Sequence, residues 1–242
     1  MRKIAIMTYG RFQPPHIQHR VLFDELLEKS KVLEEENQQK VTPFIFTSQS
    51  SNKFGDSFKK NSYIKDKTYK KMRETATFCS FKKNENPIPI SKKLGYLRKI
   101  NDTVSSEFPT LYNENTNVTL VDVIKEKIKS PIHAVIWLKR KQYDKIYFYV
   151  GLDRAAHFIR AFENNPDIEV IFGPRDENSP SGTTTREHAL KNDFFAFKKV
   201  VDKNNDIFSD EELREMIQVI RDGTEVNNDI TFGDYEDFNN PD

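Results

Sequence analysis

Residues 10–19 read Gly10-Arg11-Phe12-Gln13-Pro14-Pro15-His16-Ile17-Gln18-His19, and the stretches on either side of them decide the fold. Upstream, Lys3 to Tyr9 is a short apolar run flanked by charge and stopped by Gly10, the pattern of a buried strand. Downstream, Leu22, Leu26 and Leu33 with Phe23 and Leu27 recur at helical spacings, so Ile17 to Glu36 is predicted as an amphipathic helix. Pro43 to Thr47 is the next apolar run, closed by the polar residues Ser48 to Asn52. Strand, helix, strand in that order opens a parallel α/β sheet. The quoted ten residues are its first turn.

That turn carries chemistry-bearing groups. Gly10 permits close backbone approach, Pro14 and Pro15 fix the chain, and His16 and His19 flank the start of the helix. A helix N-terminus offers unpaired N–H groups and a partial positive charge, which suits phosphate. Histidine donors there can hold an anion, and Arg11 adds a fixed cation. Spacing alone is equally compatible with a turn that merely packs.

A second constellation follows the strand Ile168 to Phe172: GPRDENSPSGTTTREH, residues 173–188. Ser181, Thr183, Thr184 and Thr185 place hydroxyls at a helix start, and Arg186 lies within its first turn, able to grip phosphate with two nitrogens. Between the constellations the chain is predicted to run through a Lys-rich insertion (51–85) and a helix from Ser91 to Ile100. Two helical segments, Val118 to Ile128 and Ile132 to Lys141, come next. The strand Lys145 to Val150 then ends at Gly151, and the helix Arg154 to Glu163 follows. Thr184 to Val201 is helical with a break near Asn192 and Asp193. A last helix opens at Ser209, with Glu212 completing a capping box, and Gly223 is expected to end it. Beyond lies an acidic tail, 224–242, without Lys or Arg.

GRFQPPHIQH closely resembles the GRFQPxHxGH motif of the HxGH-type nucleotidyltransferase superfamily, which includes nicotinamide-mononucleotide adenylyltransferases and cytidylyltransferases. SGTTTR (181–186) resembles its second motif, SGTxxR. NPIP (86–89), GLDR (151–154) and GPRD (173–176) are further similar to segments of nucleotidyltransferase-like proteins encoded by large DNA phages and viruses. The resemblance spans most of residues 3–201 apart from the insertion. It implies a Rossmann-like open parallel sheet with helices on both faces. It also implies transfer of a nucleoside monophosphate, AMP from ATP before CMP from CTP, to a phosphorylated acceptor with release of pyrophosphate. In that reading His16, His19 and Arg186 are catalytic. Gly10, Arg11, Phe12, Gln18, Gly151, Asp153, Ser181, Gly182 and Thr183 bind the nucleotide. Mg²⁺ rides on the phosphates. Gln18 stands where the family has glycine and Thr184 where relatives often have lysine; both favour the alternative of a nucleotide-binding or virion-associated protein without turnover. Asp153 is open to two readings, a ligand contact or a helix cap.

The remaining features set boundaries. The 242 residues suffice for one large domain or two small ones, here expected as a nucleotidyltransferase domain (1–223) plus the tail. Lys and Arg number 38 against 37 Asp and Glu, so no global field points to nucleic acid or membrane. The single cysteine, Cys79, excludes an intrachain disulfide, and no apolar run has membrane-spanning length. An intracellular, cytoplasmic protein is expected, and a homo-oligomer is allowed.

Overall fold

The computed structural model describes residues 2–49, 86–104, 117–173, 181–204 and 206–225. The expectations for the 51–85 insertion, with Cys79, and for the tail beyond Glu225 fall outside these residues. Among the described residues there are five strands and seven helices: β1 (Ile4–Gly10), α1 (Ile17–Asn37), β2 (Val41–Thr47), α2 (Ile90–Asp102), β3 (Thr119–Leu120), α3 (Pro131–Arg140), β4 (Lys145–Gly151), α4 (Leu152–Phe162), β5 (Ile168–Gly173), α5 (Gly182–Leu190), α6 (Phe194–Val201) and α7 (Asp210–Glu225). None of these helices is long and apolar enough to cross a membrane.

All strand pairs are parallel, in the order β3-β2-β1-β4-β5. Alternation along each strand feeds two cores. Ile4, Ile6, Val41, Ile45, Tyr147 and Tyr149 face α1, α2 and the C-terminal helices. Ala5, Met7, Phe44, Phe46, Ile146, Phe148 and Val150 face α3 and α4. This is the Rossmann-like α/β sheet with helices on both faces. The chain builds outward from β1 through β2 to β3, then crosses back to add β4 and β5 on the other side. The order therefore reverses between β1 and β4. In open sheets of this kind the crevice at such a reversal, at the carboxyl ends of the strands, is where ligands bind.

Two expectations are corrected. Val118 to Ile128 is not a helix: Thr119 and Leu120 pair with Phe44 and Ile45 as an edge strand. The β-branched residues favour extended backbone, and Asp122 Oδ1 accepts the N–H groups of Ile124 and Lys125, closing a local turn that competes with a helix. Gly223 does not end α7, which continues to Glu225. A Cβ at Gly223 would collide with the backbone carbonyl of Pro87, so glycine is there for close approach. The start of α7 follows expectation: Ser209 Oγ accepts from Glu212 N–H at 3.3 Å and Glu212 Oε2 from Ser209 N–H at 3.0 Å. Leu213, Met216, Ile217 and Ile220 form its buried stripe.

Candidate functional site

β1 and β4 pair from Ile4–Lys145 to Met7–Phe148, yet both strands run on for three more residues, to Gly10 and Gly151. Beyond Met7 and Phe148 no ladder pairing joins them, which marks the crevice at the reversal point. The turn after β1 is folded tightly into it. The Phe12 ring lies over Gly10, where a Cβ would approach to 2.5 Å, and Phe12 itself has left-handed backbone (φ 48°). The Gln13–Pro14 peptide is cis. Gln13 is buried, and its side-chain amide pairs with the backbone of Ile88 in both directions: Nε2 donates to the carbonyl (2.8 Å) and Oε1 accepts the N–H (3.1 Å). The segment 86–89 is thereby stapled beneath the turn.

His16 occupies the N-cap position of α1 with extended backbone, and His19 sits one turn in. The His16 N–H donates to His19 Nδ1 at 3.0 Å, and the two rings lie 3.9 Å apart. An accepting Nδ1 carries no proton, so neutral His19 bears its hydrogen on Nε2. The Phe12 ring meets His19 edge-on at 4.8 Å and fixes its plane. His16 is only 4% exposed, and among the described residues its Nδ1 has no hydrogen-bond partner. Burial pushes the His16 pKa down to about 4. Burial, then His16 and Lys93, push His19 well below its ordinary value. At neutral pH both rings are uncharged hydrogen-bonding groups.

The second constellation comes to the first. Ser181 caps α5, its Oγ accepting from Thr184 N–H at 3.1 Å. A Cβ on Gly182 would lie 2.6 Å from the Gln13 carbonyl oxygen, so the start of α5 is seated on the turn after β1. Arg186 Nη1 donates to that same carbonyl at 2.6 Å, and Nη2 to Thr183 Oγ1 at 3.2 Å. Two stretches more than 160 residues apart thus share one acceptor atom. The cations crowd one another. Burial, then Arg154 and Arg186, lower the pKa of Arg11, and burial lowers that of Arg186.

His16, His19, Arg186, Gly10, Arg11, Phe12, Ser181, Gly182 and Thr183 therefore form one locale. Gln18 is half-buried in the first turn of α1, and its side chain makes no hydrogen bond among the described residues. Thr184 Oγ1 lies 3.0 Å from Ser181 Oγ, within its own helix cap. Gly151 lies at the end of β4, paired in register with Gly173, and is the N-cap of α4. Asp153 falls one position inside that helix, so Gly151 and not Asp153 holds the cap position.

Sequence reasoning missed Lys93. This lysine is fully buried, and Nζ donates to the carbonyls of Arg11 (2.9 Å) and Ser48 (2.5 Å) and to Ser48 Oγ (3.4 Å). The signal was present: Lys93 falls four residues before Leu97 and seven before Ile100, on the apolar stripe of α2. A lysine there is out of place on a purely packed face. Family models and curated proteins were compared with the chain, and none matches it.

Proposed function

We propose that the protein is a nucleotidyltransferase that moves a nucleoside monophosphate, AMP from ATP in the first instance, to a phosphorylated small-molecule acceptor and releases pyrophosphate. The observation that carries this reading is the shared Gln13 carbonyl. It joins the start of α5 and Arg186 to the turn ahead of α1, bringing two helix N-termini, two imidazoles and a cluster of cations to one crevice. Such a set of donors matches a polyphosphate.

The chemistry asks little covalent work of the chain. An acceptor oxygen attacks the α-phosphorus in line, the bond from that phosphorus to the α,β-bridging oxygen breaks, and pyrophosphate departs with that electron pair. Positioning and charge stabilisation supply the acceleration. His19 Nε2–H and His16 would donate to the departing oxygens, and Arg11 and Arg186 would balance their charge. Guanidinium, ammonium and N–H donors fit phosphate oxygens, so magnesium would enter as part of the substrate. A cytoplasmic setting is consistent with use of a nucleoside triphosphate.

The reading is tested by offering each of the four triphosphates with magnesium against a panel of phosphorylated acceptors. Pyrophosphate release and a new nucleotide adduct in the mass spectrum are expected, with ATP preferred to CTP; His16→Ala abolishes both. A second reading, nucleotide binding without turnover, is favoured by Arg186, whose guanidinium is engaged by Gln13 and Thr183, and by Thr184, which serves its own helix cap. Tight ATP binding with no pyrophosphate across the whole panel would select it.

A further inference from the structure

The hydrogen bonds of Lys93 are complete and its charge is not. Three donors meet three acceptors, the Arg11 and Ser48 carbonyls and the Ser48 hydroxyl, all of them neutral. Among the described residues no carboxylate lies within ion-pair distance of Nζ. The charged groups that face it are themselves cationic or imidazole: Arg11 from the turn after β1, and His19 from α1, with the His16 ring tilted against it. Just past the end of β2 it bonds Ser48, which is uncharged. On its own helix, Lys92 is turned outward to pair with Glu215 of α7. A buried ammonium without a counter-charge is costly, and buried charges are ordinarily paired. Among the described residues no group supplies that negative charge.

The peptide geometry says from which side. In a trans peptide the C=O and N–H of one unit point in opposite directions. The Arg11 carbonyl belongs to the same unit as the Phe12 N–H, and the Ser48 carbonyl to the same unit as the Gln49 N–H. With both carbonyls drawn onto Nζ, both N–H groups are directed away from it, at the carboxyl ends of β1 and β2. Neither N–H takes part in a hydrogen bond among the described residues. A backbone N–H aimed outward at a strand end is a donor that an anion can use.

We infer that Lys93 is a positioning residue and the buried counter-charge for the polyphosphate of a nucleoside triphosphate: it turns the Arg11–Phe12 and Ser48–Gln49 peptides so that their N–H groups meet the ligand, and it supplies positive charge beneath them. This rests on the nucleotide reading above. The ammonium is also poised to respond to a ligand, because burial and then Arg11 hold its pKa down to about 7. A polyanion over the site raises it again. Binding above neutral pH then takes up a proton onto Lys93, and affinity falls as pH rises between the free and the liganded pKa.

The experiment measures Mg-ATP affinity by calorimetry from pH 7 to pH 9 for the wild type and Lys93→Arg, whose guanidinium stays charged throughout. The wild type is expected to lose affinity about tenfold per pH unit over part of this range, while Lys93→Arg stays flat; the comparison cancels the protons of the ligand itself. Because an arginine can overfill the buried pocket, a second measurement uses the wild type alone. The ε-carbon resonance of Lys93 is titrated in ¹³C-lysine-labelled protein, with and without saturating Mg-ATP. A midpoint that rises by at least one pH unit on saturation supports the inference. Mg-ATP binding with an unmoved Lys93 midpoint, or with parallel pH profiles for the two proteins, overturns it and leaves the nucleotide reading standing. Absence of Mg-ATP binding at every pH overturns both.

Discussion

Gly182 and His16 show how single residues tie the site to the fold. At Gly182 a methyl group would meet the Gln13 carbonyl at 2.6 Å, and that oxygen belongs to backbone held in place by Ile88 and Arg186. Gly182→Ala is therefore expected to destabilise by about 1–3 kcal/mol through overpacking, measured by urea denaturation, and to weaken Mg-ATP binding in parallel. His16 acts through protons. Its folded pKa, about 4, lies below the ordinary 6.5 of an exposed histidine, so the unfolded chain binds the proton more readily. The associated stability is fully present above pH 6.5 and is lost as pH falls from 6.5 to 4, by roughly 3 kcal/mol at most. His16→Gln should flatten the loss across that window, seen by comparing denaturation midpoints at pH 7.5 and pH 4.5. An unchanged pH slope in the variant would refute the assignment. The turn itself is legible in sequence as glycines, prolines and histidines clustered at a strand end, while its spacing alone fits a packed turn equally well. Lys93 was passed over because lysine is read as solvated unless its position on the helical stripe is weighed.

Among the elements, the junction of α6 and α7 is built on one side chain. Asp202 is buried at 1% exposure and accepts the N–H groups of Asp206, Ile207 and Phe208 at 3.1, 2.8 and 2.8 Å. These bonds turn the chain so that Phe208 enters the core and Ser209 can cap α7. Asp202→Ala strands those donors and should cost about 3 kcal/mol, observed as a lower denaturation midpoint. Asp202→Asn, which keeps an acceptor, should recover part of it. Helices of this kind were legible from their stripes and caps, as at Ser209 and Glu212. β3 was not, because two residues carry no period and their strand identity comes from pairing with Phe44 and Ile45. Gly223 was misread for a related reason: sequence shows a glycine but not the Pro87 carbonyl that needs its bare Cα.

For the whole molecule, the parallel sheet followed from alternating strand and helix patterns, whereas its order did not. Which strand lies beside β1 is settled by contacts distant in sequence, and only the observed order β3-β2-β1-β4-β5 locates the reversal and hence the crevice. A ligand held there touches turns from both halves of the sheet and should stabilise the entire fold. Mg-ATP at one hundred times its Kd is expected to add about 2.7 kcal/mol, raising Tm by about 5–10 °C for a chain of this size. Arg186→Ala should erase most of that shift in a thermal melt, while Lys139→Ala, at the opposite end of the sheet, should leave it intact.

Gln13 holds Ile88 with its side chain and Arg186 with its carbonyl, while the Cα of Gly182 rests on that same oxygen. Three stretches of the gene are thereby placed under joint selection. A substitution in one changes which substitutions the others tolerate, and the damage from Gln13→Leu and Arg186→Leu together should differ from the sum of the two alone by roughly 0.5–3 kcal/mol. Descendants of this sequence can drift freely at the solvent-facing positions of α3 and α4. Along the seam between the two motifs, evolution has to move in paired steps.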